Sequence, residues 1–112
     1  MADSLVKDKK IRLRVVTPLH VVYDGMVDIA IARTTDGDLG VMYGHEPCTA
    51  LLGDGALRII PDQRGKEQEL LMILGGILTV GENIAVVMSD IAQRPDQIEE
   101  YMDRLKKEKE EN

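Results

Sequence analysis

The chain has 112 residues, with 20 Asp and Glu against 14 Lys and Arg for a net charge of −6; 44 % of residues are hydrophobic, yet there are three Tyr and no Phe or Trp. That is room for one domain with a core, too apolar for a disordered chain. It is also too acidic and too poor in aromatics for a nucleic-acid binder, which needs clustered cations and stacking rings. A single Cys excludes an internal disulfide framework and a Cys-rich zinc site, and no apolar run approaches the roughly 20 residues that span a bilayer. Residues 1–10 hold no apolar stretch of signal-peptide kind, so a soluble, cytosolic domain without membrane insertion is expected.

Residues 1–10, with Lys7, Asp8, Lys9 and Lys10, read as a flexible lead-in, and residues 1–14 carry five basic and two acidic groups. From Ile11 onward the apolar spacing is two. Ile11, Leu13 and Val15 alternate with Arg12 and Arg14; Val27, Ile29 and Ile31 alternate with Asp28 and the small Ala30 and Ala32; Leu57 and Ile59 flank Arg58. Leu71, Ile73, Ile77, Leu78 and Val80 follow, and Ile84 to Met88 is apolar throughout. Turn signals punctuate these runs at Asp24-Gly25, Asp36-Gly37, Gly53-Asp54-Gly55, Arg64-Gly65, Gly75-Gly76 and Gly81-Glu82-Asn83. The pattern predicts a mainly β domain over 11–94, an antiparallel β-sandwich or flattened barrel of eight to ten short strands with an aliphatic core.

At Pro95 the period changes, and residues 95–112 read as one C-terminal α-helix. Asp96 and Glu99 form a capping box, and Ile98, Tyr101, Met102 and Leu105 fall on one face at helical spacing. A helix this short is marginal alone in water, so its stripe is expected to dock on the sandwich or on a partner.

Catalytic chemistry is not expected. His20 and His45 are too few for a three-His metal site, and His45-Glu46-Pro47 is no zinc-binding helix. Cys48 near His45 has the makings of a nucleophile pair, but it opens the apolar run Cys48 to Leu52 and reads as a small hydrophobe. Asp36-Gly37-Asp38 lacks the later Gly and Glu of a calcium loop and reads as a polar turn. No glycine-rich phosphate loop occurs, so neither a metal nor a cofactor is expected.

One segment goes further. Gly37-Asp38-Leu39-Gly40, followed three residues later by Gly44-His45-Glu46-Pro47, resembles the signature of the epsilon chain of F-type ATP synthases. Gly53-Asp54-Gly55-Ala56-Leu57-Arg58-Ile59 is similar to that family's hairpin entry. Leu74-Gly75-Gly76-Ile77-Leu78-Thr79-Val80 is similar to its S-G-G-I/F-L-E-V strand, departing at Leu74 and Thr79. Asp90-Ile91-Ala92 and Asp96-Gln97-Ile98 are similar to its link into C-terminal helices, so the resemblance runs from about Ile11 to Leu105.

The resemblance implies a ten-stranded sandwich and a non-catalytic rotor subunit at the foot of the central stalk. Such a subunit is bound to the gamma chain and to the polar loops of the c-ring. It couples proton or sodium flow to ATP synthesis at the cytoplasmic face of the bacterial plasma membrane. Asp36, Gly37, Asp38 and Leu39 match the ring-facing loop, with Asp38 at the acidic contact position, and Gly44 and His45 match the region near the gamma contact. Gly40 and Gly44 are expected to let the backbone turn tightly around this loop. The helical part of the family restrains ATP hydrolysis through contacts that reach the alpha and beta chains. Here only 17 residues follow Pro95, enough for one helix and not for the family's hairpin. Ile98-Glu99-Glu100-Tyr101-Met102-Asp103 departs from the I-D-x-x-R-A motif with which some members bind ATP, so ATP binding is not expected. From another class, a free-standing sandwich that senses a small ligand between its sheets, or acts as an adaptor, stays open.

Overall fold

The computed structural model describes residues 9–65, 67–95 and 103, and the capping box and the face formed by Ile98, Tyr101, Met102 and Leu105 lie outside them. Among the described residues the chain forms ten strands: β1 (Ile11–Val16), β2 (Val21–Val27), β3 (Ile29–Thr34), β4 (Gly37–Val41), β5 (Cys48–Leu52), β6 (Gly55–Ile60), β7 (Glu69–Ile73), β8 (Gly76–Gly81), β9 (Ile84–Met88) and β10 (Ala92–Gln93). They are ordered β10-β7-β6-β3-β5-β8-β9-β1-β2, with β4 on the other edge of β3. Strands β3 and β5 meet at a single pair, Thr34 with Leu52, so the sheet divides there into two five-stranded halves that close on each other. The pairing is antiparallel except between β1 and β9, which run parallel. These two strands are far apart in sequence, so no tight turn dictates their direction.

Between the halves lies an aliphatic core. Ile11, Leu13 and Val15 of β1, with Leu78, Val80, Ala85 and Val87, face Val41, Leu57, Ile59, Leu71 and Ile73. The expected inward sets of β1 and β6 are the ones observed. The set of β3 is not: Ala30 and Ala32 are buried, while Ile29 and Ile31 are only partly covered on the outer face. The alternation slips by one residue at Asp28, a bend between β2 and β3. The backbone N–H of Asp28 donates to the carbonyls of Ile60 (3.0 Å) and Pro61 (3.3 Å). Its carboxylate accepts from Lys10 Nζ (2.9 Å) and from the N–H of Gln63 (2.7 Å), and Lys10 also donates to the Pro61 carbonyl. One residue thus holds the entry of β1, the β2–β3 corner and the turn after β6. Asp24-Gly25, expected as a turn, lies inside β2, opposite Arg14 and Leu13. Asp24 is held there by the Arg12 guanidinium through two 3.0 Å hydrogen bonds, a cross-strand clamp that favours extended backbone over a corner.

At the start of β8, Gly76 has φ +123° and runs against the end of β9. A Cβ there would sit 2.2 Å from the Met88 carbonyl oxygen, so neither the conformation nor the space admits a side chain. Gly76→Ala should therefore cost about 3 kcal/mol or more, read as a lowered denaturant midpoint.

Burial raises the Asp28 carboxyl, but the Gln63 N–H and the Lys10 ammonium outweigh it and hold the group below the ordinary carboxylate range. The stability this contributes is present above the unfolded-state value of about 4 and is lost as pH falls through the lower folded-state value. Asp28→Asn should unfold more easily at pH 7 by about 1–3 kcal/mol, with the gap to wild type closing below about pH 4 in parallel melts.

Candidate functional site

The signature residues build two separate ends of the sandwich. At one end, Thr35 and Asp36 form a two-residue hairpin tip between β3 and β4. Thr34 Oγ1 donates to the Gly37 carbonyl and accepts from the N–H of Asp36 (3.1 Å), so the tip is pinned by its own side chain. Of the expected loop Asp36 to Leu39, only Asp36 lies in the turn; Gly37, Asp38 and Leu39 already pair in β4. The hairpin is tighter than the sequence suggested because Gly37 takes the positive φ (+120°), whereas Gly40 stays within the strand. Asp38 stands directly opposite Arg33, with Nε to Oδ1 at 3.4 Å, and both side chains are about 60 % exposed (59 % and 60 %). Leu39 is partly buried against the core.

The same end gathers other tips. The Thr35 N–H donates to the Leu51 carbonyl, the Gly53 N–H to that of Arg33, and the Leu74 N–H to that of Ile91. Ser89, buried, donates through Oγ to the Leu74 or Ile91 carbonyl, which ties the β9–β10 turn to the β7–β8 turn. The exposed carboxylates Asp36, Asp54 and Asp90 therefore cap one end of the molecule.

Gly44 and His45 lie at the other end, in the β4–β5 loop. Gly44 has φ +85°, as a tight turn there requires, and the His45 N–H closes the turn on the Met42 carbonyl at 3.1 Å. His45 Nδ1 lies 2.7 Å from the Glu46 carbonyl oxygen and donates to it. The ring nitrogen nearest the backbone is thereby engaged, and Cys48 packs against the core. Among the described residues no hydrogen bond joins His45 to Cys48. Lys9 Nζ sits 5.0 Å from the centroid of the Tyr43 ring, a cation–π contact on the same loop.

Between these ends runs the outer face of β5, β8, β9, β1 and β2. Leu51 pairs with Ile77, Ile77 with Met88 and Met88 with Val16, a row across four strands that points outward. Leu51 is 61 % exposed, Met88 45 % and Ile77 38 %. At the end of the row an open groove of about 400 Å³ is lined by Val16, Pro18, Ile77, Met88 and Asp90 among others. Farther along the face, Asp24 is clamped by Arg12 and approached by Arg14 Nε at 3.5 Å. The Arg12 hydrogen bond holds the Asp24 carboxyl below its usual range and raises the guanidinium, so this cluster keeps one net positive charge. The row was missed in sequence although it carries a signal: each member adjoins a buried apolar residue, in Val15-Val16, Leu51-Leu52, Ile77-Leu78 and Val87-Met88. Such doublets mark strands that are apolar on both faces.

Among the described residues no group of three His, Cys, Asp or Glu could hold a metal ion, and no helix is long and apolar enough to cross a membrane. The gap between the halves, at Ala32, Leu57, Ile73 and Val87, amounts to about 10 Å³. That is close to the threshold for a single water. The Arg33–Asp38 pair, being open to solvent, should contribute little to stability. A double-mutant cycle with Arg33→Ala and Asp38→Ala is expected to give a coupling of about 0.2–1 kcal/mol that shrinks as salt is raised.

Comparison with known proteins gives the surfaces a context. Residues 10–95 match the family model for the ATP synthase delta/epsilon chain, beta-sandwich domain. The ATP synthase epsilon chain of Alkalihalophilus pseudofirmus is 35 % identical over 102 residues, covering 91 % of this chain and 74 % of the relative. The ATP synthase epsilon chain of Caldicellulosiruptor saccharolyticus is 36 % identical over 87 residues, covering 78 % of this chain and 61 % of the relative. In fold, the chain resembles one in the Euglena gracilis mitochondrial ATP synthase structure of OSCP, F1 and c-ring, with TM-score 0.72 and 22 % identity over 88 % of this chain and 62 % of that one. These epsilon-chain relatives are subunits of a rotary complex and not its catalytic chain. On its sandwich, its signature and these relatives, the chain belongs to the delta/epsilon chain family of the ATP synthases.

Proposed function

We propose that this chain is the central-stalk epsilon subunit of a proton- or sodium-translocating F-type ATP synthase, peripheral at the cytoplasmic face of the bacterial plasma membrane. It couples the gamma chain to the membrane c-ring. The observation that carries the reading is the division of the surface: an acidic end of Asp36, Asp54 and Asp90, and beside it an outward apolar row from Leu51 to Val16. A rotor coupling needs two such faces, one for each neighbour. The acidic tips suit the polar loops of a ring, where exposed charges set register and association rate more than affinity. An exposed aliphatic row flanked by charge suits a lasting contact with a second chain, and the face that carries it extends toward the His45 and Gly44 loop.

Asp38 has a smaller part in this reading than its signature position suggests, because Arg33 already faces it. Asp36 and Leu39 then define the direction of the hairpin: Asp36 outward at the tip, Leu39 inward against the core. In this reading the segment after Pro95, which carries Ile98, Tyr101, Met102 and Leu105, contributes what restraint of hydrolysis the chain exerts, reaching the alpha and beta chains. No step requires a bound cofactor.

Mixing the full chain with purified gamma chain is expected to give a one-to-one complex at micromolar concentration, and its absence would remove the proposal. Asp36→Lys should weaken binding to a ring-containing assembly about five- to tenfold at low salt, with the difference fading toward 0.5 M salt as screening shortens to ~4–5 Å.

A further inference from the structure

We propose that Asn83 is the positioning residue of the Gly44–His45 loop, holding from another strand pair the segment that the functional reading assigns to the gamma contact. The proposal rests on that reading for its consequence and on geometry for its substance. Asn83 lies 39 residues beyond Gly44, in the two-residue turn between β8 and β9. Its side-chain Oδ1 accepts a 2.8 Å hydrogen bond from the Gly44 N–H, the one cross-strand side-chain bond made to that loop among the described residues. Its own backbone is held in the left-handed region at φ +62°, beside Glu82 at φ +52°, as a tight right-twisting hairpin requires. Its carbonyl accepts the Arg12 N–H at 3.0 Å, so the turn is also tied to β1.

The consequence is specific. Gly44 has no neighbour within 4 Å of where a Cβ would stand, so packing does not hold it. At φ +85° the glycine has wide conformational freedom, which the turn bond from the His45 N–H to Met42 and the side-chain bond from Asn83 restrict together. The next residue is His45, whose N–H closes on Met42 and whose ring donates to Glu46. Asn83 thus anchors, from another strand pair, the backbone from which the imidazole projects. Asn and Asp both tolerate the left-handed backbone and both offer an acceptor; Gly offers the backbone without the acceptor.

Three full-length variants separate these parts: Asn83→Gly keeps the turn and deletes the acceptor, Asn83→Asp keeps both, and Asn83→Ala loses the acceptor and strains the turn. Amide hydrogen exchange at Gly44 and His45 is read by NMR, alongside binding to purified gamma chain and thermal melting. Asn83→Gly should speed Gly44 exchange about fivefold or more and weaken gamma binding by a similar factor while melting close to wild type. Asn83→Asp should restore both. Unchanged Gly44 exchange in Asn83→Gly would overturn the proposal. So would exchange protection and melting temperature that fall together in Asn83→Gly and Asn83→Ala without rescue by Asp, since that marks a purely structural turn. If wild type itself fails to bind the gamma chain, the functional reading fails, while the exchange data still decide the role of Asn83.

Discussion

A bend at Asp28 sets which side of β3 faces inward, and the rest of the sandwich is arranged around that choice. The carboxylate is mostly buried, with 14 % of its side chain exposed, and a charge so placed needs partners. It finds them in Lys10 before β1 and in the Gln63 N–H after β6. Because the bend uses one residue, Ala30 and Ala32 turn inward and Ile29 and Ile31 outward. Small inward side chains on β3 let the facing half, with its larger Leu and Ile side chains, approach closely, and the gap at Ala32, Leu57, Ile73 and Val87 is only about 10 Å³. The absence of Phe and Trp fits this interior, which is filled by aliphatic groups at short range.

The surface is unevenly built. The hairpin tips with Asp36, Asp54 and Asp90 collect at one end, the β4–β5 and β8–β9 turns at the other, and the apolar row Leu51–Ile77–Met88–Val16 crosses the face beside the acidic end. Thr34 and Ser89 both brace turns at the acidic end through their own hydroxyls. The acidity noted in the composition is thus partly a matter of placement and not only of solubility.

Much of the fold was legible as period-two spacing, because a strand buried on one face must alternate. Ile11, Leu13 and Val15, and Leu57 and Ile59, read correctly for that reason. What was not legible has physical causes. Asp24-Gly25 has turn composition, but Arg12 and Arg14 on the neighbouring strand hold it extended, and cross-strand partners are invisible to local spacing. The slip at Asp28 depends on Pro61 and Gln63, more than thirty residues away. In the site, the signature located the hairpin and the His45 loop. It did not reveal that Arg33 faces Asp38, or that Asn83 reaches Gly44, since both are pairings across strands. The apolar row was readable in principle from its doublets, which resemble core strands until one asks what covers the second face.

In the proposed role the acidic end meets the ring and the apolar face meets the gamma chain. A photocrosslinking amino acid placed at position 36, and separately at position 77, in the assembled ATP synthase complex tests it most directly. Irradiation should join position 36 to the c-ring subunit and position 77 to the gamma chain. Crosslinks in the reverse order, or a position 77 that joins only solvent in a complex that is otherwise intact, would contradict the assignment of these two faces.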